Sequence, residues 1–245
     1  MRNYVEPSMR FKDYPMVFLR YLLTWKIIQQ CTSYKQHELK TYVKEFLLSN
    51  PFTDGFHPFT NPDHFKSAVL YALCRRRNPN VVIETGVASG TSSVGILSAL
   101  ERNEAGHLYS IDLPGKVYTT DWNQLYTDEF PGGVTGWRVK EQLRHRWSLI
   151  KGSSQDLLVD ILNHVGYVDI FYHDGEHTTS NMSFEMEHSW SKLTPGGLLV
   201  VDNTNWNQSF FDFCRKRSIS PTIIYPFVGV AMKPHESRKF DVRIQ

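Results

Sequence analysis

The sequence predicts an α/β fold in which an open, mostly parallel sheet of seven strands carries helices on both faces. Two observations favour this fold. Short apolar runs, such as Val81 to Ile83 and Leu198 to Val201, are typical of strands that a parallel sheet buries on both faces. Apolar residues at helical spacing, as from Ser92 to Leu100, predict helices between the strands. At 245 residues with 41% hydrophobic content, the chain is long enough to bury one such core.

Residues 1–60 predict a helical extension, with residues 61–245 forming the main domain. The apolar stretches Met16 to Ile28 and Tyr42 to Leu48 predict helices that need a partner surface. Basic residues interrupt the first stretch, so we expect neither a membrane span nor a cleaved signal. Two roles stay open for the extension: it covers the substrate side of the sheet, or it forms a homodimer contact. Pro51 to His64 predicts a linker or lid that joins it to the core.

The first predicted strand ends in an acid and a glycine-bearing turn. Val81 to Ile83 runs into Glu84, and Gly86 and Gly90 follow. A predicted helix begins directly after the turn, so the amides of the turn lie near a helix N-terminus, which favours a nucleoside ligand. The two glycines stand further apart than those of the tight G-x-G-x-x-G turn that holds a pyrophosphate. The turn therefore predicts a nucleoside cofactor in preference to a dinucleotide.

A second predicted strand, from His107 to Asp112, also closes on an acid. Asp112 lies roughly 20 residues after the glycine turn, the place from which a carboxylate reaches a ribose diol. An acid at this place serves several classes of nucleoside-binding enzyme, so Asp112 supports a nucleoside ligand without choosing among them. A third strand, from Trp147 to Lys151, leads into a polar segment, Gly152 to Asp156.

Two later strands deliver polar groups where they end. Asp174 follows the apolar run that begins at Val168, and Asp202 and Asn203 follow the run that ends at Val201. The crevice of an open α/β sheet lies outside the carboxyl ends of its strands, so we expect these side chains to converge. Three hard oxygen ligands suit a divalent cation such as magnesium. A turn at Asp174 and a helix cap or Asx turn at Asp202 and Asn203 are the structural alternatives.

The segment from Glu84 to Ser92 resembles the first motif of class I S-adenosylmethionine-dependent methyltransferases, with Ala88 in place of the usual middle glycine. The resemblance is closest to the metal-dependent O-methyltransferases of the catechol and macrocin sugar types. An uncharacterised bacterial and archaeal group of the superfamily is similar from about Pro62 to Met232, including a Pro-Gly-Gly turn before the fifth strand and a Trp-Asn pair at Trp206. Trp206 either shapes the substrate mouth or packs in the core. The resemblance implies a Rossmann-like fold.

The same resemblance implies S-adenosylmethionine as the cofactor. Glu84 would lie near its amino-acid end, and the backbone from Gly86 to Gly90 would pass beneath its sulfonium and ribose. Polar residues after the third strand would face the adenine. The expected cofactor residues are Glu84, Gly86, Ala88, Ser89, Gly90, Ser92, Asp112, Ser153, Ser154, Gln155 and Asp174.

Carried over by position, the magnesium ligands are Asp174, Asp202 and Asn203. A metal that chelates a substrate hydroxyl lowers its pKa and aligns it with the methyl group. For the base, the resemblance places a catalytic acid at Glu176, and the adjacent His177 has a more suitable unperturbed pKa. These two rank equally, His173 is a further alternative, and Asp174 belongs to the catalytic set.

Two further regions complete the prediction. Residues near 113–146 combine glycines and prolines with aromatic residues and show no periodicity, which predicts a substrate lid that helps to select the acceptor. Pro221 to Tyr225 and Phe227 to Met232 predict the last two strands, a hairpin whose final strand is antiparallel to the sheet.

Charge and cysteine usage restrict the partners. A net charge of +2 is too small to imply nucleic-acid binding, and we expect no membrane partner. The three cysteines are widely separated, which predicts a reducing compartment and a cytoplasmic protein.

The sequence thus predicts transfer of a methyl group to a small-molecule acceptor, such as a sugar, a phenol or another natural product, at a hydroxyl oxygen that a metal aligns. Two alternatives stay open. A nicotinamide-dependent oxidoreductase is supported by the first strand, the glycine turn and Asp112, but the spacing of the turn weakens it. A non-catalytic binding protein on the same fold would act through its N-terminal helices or its lid.

Overall fold

The computed structural model describes residues 14–49, 61–113 and 135–235, and in these ranges an alternation of strands and helices follows three N-terminal helices. The helices are α1 (Tyr14–Thr32), α2 (Gln36–Leu48), α3 (Pro62–Arg77), α4 (Thr91–Asn103), α5 (Ser154–Val165), α6 (Thr179–Lys192) and α7 (Ser209–Lys216), with a 3₁₀ helix at Glu141–Arg146. The strands are β1 (Val81–Thr85), β2 (His107–Asp112), β3 (Trp147–Lys151), β4 (Val168–His173), β5 (Leu193–Val201), β6 (Thr222–Ile224) and β7 (Val228–Met232).

The strands form one seven-stranded sheet in the order β3-β2-β1-β4-β5-β7-β6. Strands β1 to β5 are parallel, and β7 runs antiparallel to both β5 and β6. This confirms the predicted Rossmann-like, mostly parallel sheet and the final hairpin. The strand order reverses between β1 and β4, and ligands of such sheets bind outside the carboxyl ends of the strands at that reversal.

Helices cover both faces of the sheet, as predicted. On one face, buried side chains of α1 to α4 form one hydrophobic cluster with residues such as Val82, Ile170 and Val200. On the other face, α5 to α7 pack against alternate residues of the same strands, including Ile83 and Phe171. Adjacent residues of a strand point to opposite faces, so each apolar strand contributes to both clusters.

The helix α3 is fixed at both ends by its own sequence. The side chain of Asn61 accepts hydrogen bonds from the backbone amides of Asp63 at 2.9 Å and His64 at 3.2 Å, which satisfies two donors at the helix N-terminus. Asn78 ends the helix in a left-handed conformation, with its amide bonded to the carbonyl of Cys74 at 2.9 Å. Between these caps, Lys66 lies one turn into the helix, on the side that reaches β5.

The extension packs onto α3 as part of the core. Phe46 of α2 is fully buried and stacks on Tyr71 of α3, with ring centroids 4.6 Å apart. Glu45 accepts a hydrogen bond from the Tyr71 hydroxyl and pairs with Arg75 at 2.9 Å. The predicted partner surface of these helices is therefore α3 and the sheet. The division of the chain at residue 60 stays a prediction, because residues 50–60 lie outside the described residues.

One predicted turn is part of a strand. The Pro-Gly-Gly segment belongs to β5, which begins at Leu193, directly after α6 ends. A register shift opposite Val168 and Ile170 absorbs the irregular backbone, and Gly196 has a φ of +73° there. The Gly196 amide bonds to the carbonyl of Lys233 at 2.8 Å, so pairing with the residue after β7 extends the strand through this segment.

Among the described helices, none combines the length and the apolar character that a membrane span requires. The cytoplasmic location and the homodimer contact stay predictions.

We expect the substitution Phe46→Ala to lower the free energy of unfolding by about 3 to 5 kcal/mol, because it removes a buried ring and leaves a cavity between α2 and α3. Urea denaturation measures this change. Leu48→Ala, at a position of α2 that is 76% exposed, is the matched control and should change stability by less than about 0.5 kcal/mol. Equal, small effects of both substitutions would show that α2 is not part of the core.

Candidate functional site

The glycine turn lies between β1 and α4, at the carboxyl end of the sheet. Gly86 has a φ of +80°, and a Cβ atom there would lie 2.1 Å from the carbonyl oxygen of Asp174. Gly90 has a φ of +88°, and its Cβ would lie 3.0 Å from Gly136 Cα. The close approach that these glycines permit is therefore between segments of the protein itself. Their predicted contact with the cofactor stays a prediction.

Glu84 is fully buried at the end of β1. Its carboxylate accepts hydrogen bonds from the hydroxyls of Ser92 at 2.5 Å, Ser93 at 2.7 Å and Ser110 at 2.7 Å. Burial raises the pKa of Glu84, and the three hydroxyls oppose that rise. A carboxylate held in this way joins β1, β2 and α4 and does not reach the surface. The structure therefore does not support the expected direct contact of Glu84 with the amino-acid end of the cofactor.

Asp112 lies beside the glycine turn at the end of β2, where the ribose prediction placed it. Its carboxylate accepts from the backbone amides of Ala88 at 3.2 Å and Leu113 at 2.9 Å, and it is partly exposed. Burial raises the pKa of Asp112, and Lys151 on β3 opposes the rise. Ser89 follows Ala88 in the turn, with its hydroxyl 2.9 Å from that of Thr91.

The three residues predicted to face the adenine differ in their surroundings. Ser153 caps α5, because its hydroxyl accepts from the amide of Asp156 at 3.1 Å and donates to the Asp156 carboxylate at 2.6 Å. Ser154 donates to the side-chain oxygen of Asn181 on α6 at 3.3 Å. Gln155 is exposed. Sequence reasoning missed the capping role of Ser153, although Ser followed three residues later by an acid is a common cap signal.

The end of the predicted lid is bonded to the glycine turn. The amide of Gly136 donates to the carbonyl of Ala88 at 2.8 Å, and the amide of Arg138 donates to the carbonyl of Ser89 at 3.0 Å. Gly136 has a φ of +72°, and a Cβ there would lie 2.2 Å from the ring of Trp147. Residues 114–134, which hold most of the predicted lid, lie outside the described residues.

Asp174 and Asp202 meet at the carboxyl ends of β4 and β5, as the topology predicted. Their side chains are in hydrogen-bonding contact with each other, and the hydroxyl of Tyr172 donates to Asp174 Oδ2 at 2.9 Å. Lys66 of α3, which sequence reasoning missed, donates from Nζ to Asp202 Oδ2 at 2.5 Å and also lies 2.9 Å from Asp63 Oδ1. No local sequence signal places Lys66 here, because it is 136 residues away from Asp202.

The charges of this group follow from burial and proximity. Burial would lower the pKa of Lys66, but the carboxylates of Asp174 and Asp202 raise it well above its usual range. Burial would raise the pKa of Asp202, but Lys66 and the hydrogen bond from Asp174 hold it below its usual range. Burial and the neighbouring Asp202 raise the pKa of Asp174 well above its usual range. The shifts favour the charged forms of Lys66 and Asp202, and they place the proton of the coupled acidic pair preferentially on Asp174.

His177 borders the same group, and its side chain is 10% exposed. The amide nitrogen of Asn203 lies 3.2 Å from His177 Nε2, and Asp174 Oδ1 lies 3.9 Å from the same atom. Burial and the neighbouring His173 lower the pKa of His177 to about 4. The ring of Trp206, which is 57% exposed, lies 5.0 Å from the imidazole, so Trp206 stands at the mouth of the site and not in the core.

The other candidate bases are placed differently. His173 is fully buried, and its Nδ1 lies 2.6 Å from the carboxylate of Glu185 on α6. Glu185 also accepts from the hydroxyl of Thr85 at 2.6 Å and from Asn181 at 2.8 Å. His173 Nε2 is buried and has no hydrogen-bond partner among the described residues, and the alternative in which His173 is the base stays a prediction. Glu176 is exposed, on the loop before α6.

The predicted magnesium ligands do not fit a divalent cation as they stand. Asp202 Oδ2 is held by Lys66, Asp174 Oδ2 accepts from Tyr172, and the side chain of Asn203 is directed to His177. Among the described residues, no group of three or more His, Cys, Asp and Glu side chains is arranged to hold a metal. Asp202 Oδ1 is buried and has no hydrogen-bond partner among the described residues, so this oxygen remains available to a cation. Magnesium binding stays a prediction, because Asp202 Oδ2 and Asp174 Oδ2 are already engaged.

The sequence and the fold are similar to those of known proteins. The family model of a methyltransferase domain matches residues 83–204, about half of the chain, whereas a search of the curated proteins finds no match. The structure of the O-methyltransferase NovP aligns with 80% of this chain and 98% of its own, at 14% identity and a TM-score of 0.53.

Two further solved structures are similar at lower TM-scores. A putative O-methyltransferase from Klebsiella pneumoniae covers 84% of this chain and 99% of its own, at 14% identity and a TM-score of 0.49. The O-methyltransferase from Bacillus cereus in complex with SAH covers 85% and 96%, at 12% identity and 0.44. At such low identities the likeness shows the fold alone.

The substitution Gly86→Ala should lower the free energy of unfolding by about 3 to 5 kcal/mol, because it adds a clash with the Asp174 carbonyl to the strain of a left-handed alanine. Gly166→Ala is the matched control, since Gly166 has a φ of +78° and nothing within 4 Å of an added Cβ. It should cost about 1 to 2 kcal/mol through strain alone. Equal losses in a urea titration would mean that the backbone of Asp174 does not approach the turn.

Proposed function

This chain carries a class I methyltransferase domain, and on that premise we propose that it transfers a methyl group from S-adenosylmethionine to a hydroxyl oxygen of a small-molecule acceptor. The main support is the arrangement at the carboxyl ends of the parallel strands. The glycine turn and Asp112 lie at the ends of β1 and β2. Asp174 and Asp202 lie next to them at the ends of β4 and β5, with His177 at their border. One crevice thus offers a nucleoside side and an acceptor side.

The nucleoside side has the groups that a ribose and an amino-acid moiety need. The carboxylate of Asp112 is partly exposed and is held in place by two backbone amides, so it is pre-oriented to accept from a ribose diol. The N-terminus of α4 follows the turn directly, and its amides favour a carboxylate ligand. These features support S-adenosylmethionine as the cofactor.

The acceptor side has a candidate base in His177. Methyl transfer breaks the bond between carbon and the sulfonium sulfur, forms a bond from carbon to the acceptor oxygen, and releases the hydroxyl proton. The pKa of His177 is lowered to about 4, so the imidazole is neutral near pH 7 and has a lone pair for that proton once the hydroxyl replaces Asn203 at Nε2. The low pKa makes it a weaker base than an ordinary imidazole. The exposed ring of Trp206 offers a flat surface for a sugar or a phenol. Of the two equally ranked residues, the geometry favours His177 over Glu176.

Calorimetric titration with S-adenosylmethionine, S-adenosylhomocysteine and NADH tests the cofactor. We expect the two sulfur compounds to bind and the variant Asp112→Asn to bind them about 10 to 100 times more weakly, because it loses charge-assisted hydrogen bonds. Asp160→Asn, at an exposed position of α5, is the matched control and should bind as the wild type does. Binding of NADH alone would overturn the proposal in favour of hydride transfer.

Formation of S-adenosylhomocysteine with a panel of sugars and phenols tests the base. For any acceptor that is turned over, His177→Gln should lower kcat by about 100-fold or more and leave cofactor affinity unchanged, because it removes the proton acceptor. Glu176→Gln, one position away and exposed, should retain activity within about threefold. The reverse pattern would assign the base to Glu176, and exclusive turnover of amines would replace the oxygen acceptor with nitrogen.

A further inference from the structure

Lys66 enters the acceptor side of the site from outside the matched methyltransferase segment. It belongs to α3, whereas the family match begins at residue 83. The side chain is 14% exposed, and its aliphatic part lines a narrow apolar cavity together with Val69, Tyr172 and Tyr225. Its ammonium group lies at the end of that stem, 2.5 Å from Asp202 Oδ2. The contact therefore depends on α3 as well as on the end of β5.

The ammonium occupies one of the two Asp202 oxygens that a divalent cation could use. A magnesium ion bound by Asp202 would lie about 2.1 Å from a carboxylate oxygen. Lys66 Nζ lies 2.5 Å from Oδ2 of that residue, whose side chain is 1% exposed, so the two cations exclude each other at this oxygen. Either cation, the Lys66 ammonium or a magnesium ion, would neutralise the buried Asp202 carboxylate, which requires a positive partner.

A second contact fixes the position of the ammonium. Lys66 Nζ also lies 2.9 Å from Asp63 Oδ1, and the Asp63 side chain is mostly exposed. The ammonium is therefore held between the buried carboxylate of Asp202 and the solvated carboxylate of Asp63.

We propose that Lys66 is the resident cation of this site, occupying the position of a divalent metal, so that the protein holds no metal between Asp174 and Asp202. In this arrangement Lys66 acts as a positioning residue, because its ammonium group holds the Asp202 carboxylate beside Asp174. Its role in methyl transfer rests on the proposed function, but its exclusion of metal does not.

Titration with Mn²⁺ alone, followed by electron paramagnetic resonance, tests the exclusion. At Mn²⁺ concentrations up to about 1 mM, the wild-type protein should show no Mn²⁺ site that disappears in Asp202→Asn. The reason is that Lys66 occupies Asp202 Oδ2. Lys66→Met removes the ammonium and keeps the stem, so it should gain one Mn²⁺ site that is at least tenfold tighter. The gain should be lost in the double variant Lys66→Met with Asp202→Asn. Lys44→Met, at an exposed position of α2, is the matched control and should bind as the wild type does.

Two results would overturn the proposal. One is a single Mn²⁺ site in the wild type that Asp202→Asn abolishes. The other is a folded Lys66→Met variant, judged by circular dichroism, that gains no Mn²⁺ site. Should that variant not fold, the wild-type titration decides by itself, because the presence or absence of an Asp202-dependent site does not require the variant.

Methyl-transfer assays on the wild type and Lys66→Met distinguish a failure of this proposal from a failure of the proposed function. With an acceptor that is turned over, EDTA should change the wild-type rate by less than twofold. Lys66→Met should lose about 100-fold or more in kcat, and Mn²⁺ should restore part of that loss, which a merely structural role of Lys66 would not produce. Absence of S-adenosylmethionine binding would defeat the proposed function and leave the Mn²⁺ titrations unaffected.

Discussion

The ion pair between Lys66 and Asp202 is the contact on which the geometry of the site depends, because it joins a helix of one layer to the end of a central strand. Removing one partner of a buried pair typically costs about 3 to 5 kcal/mol, since it leaves the other charge without compensation. The pair also requires α3 to hold its position. The Asn61 cap and the packing of Phe46 on Tyr71 maintain that position. The N-terminal helices therefore support the site through α3.

A second constraint joins the two sides of the crevice. The backbone of the glycine turn and that of Asp174 approach so closely that Gly86 has no space for a side chain. The network around Glu185 reinforces this contact, because its carboxylate accepts from Thr85 of β1 and bonds His173 of β4. These contacts fix the position of the turn relative to the acidic pair. Such positioning would matter in the proposed methyl transfer, because a misplacement of about 1 Å can cost about 100-fold in rate.

Two expected site residues have surroundings that the sequence did not indicate. Glu84 and His173 are chemically suited to a site, and each stands at a strand end where a ligand is expected. The structure buries both, because serine hydroxyls bond Glu84 and Glu185 bonds His173. The same reason applies to magnesium. Asp202 has carboxylate oxygens that suit magnesium, but Lys66, 136 residues away in the sequence, donates a hydrogen bond to one of them. The sequence identifies the functional group at the end of a strand, but its hydrogen-bond and ion-pair partners are known only from the tertiary structure.

The sequence by itself determined the order of strands and helices, the glycine turn between β1 and α4, and the meeting of Asp174 with Asp202. These follow from short-range patterns and from a general rule, that the carboxyl ends of parallel strands share one edge. The tertiary structure alone decided which polar groups are buried and paired, and which, like Trp206 and His177, border the surface. It also brought in Lys66, because packing brings distant segments together and each contact sets the charge and the reach of the groups that it joins.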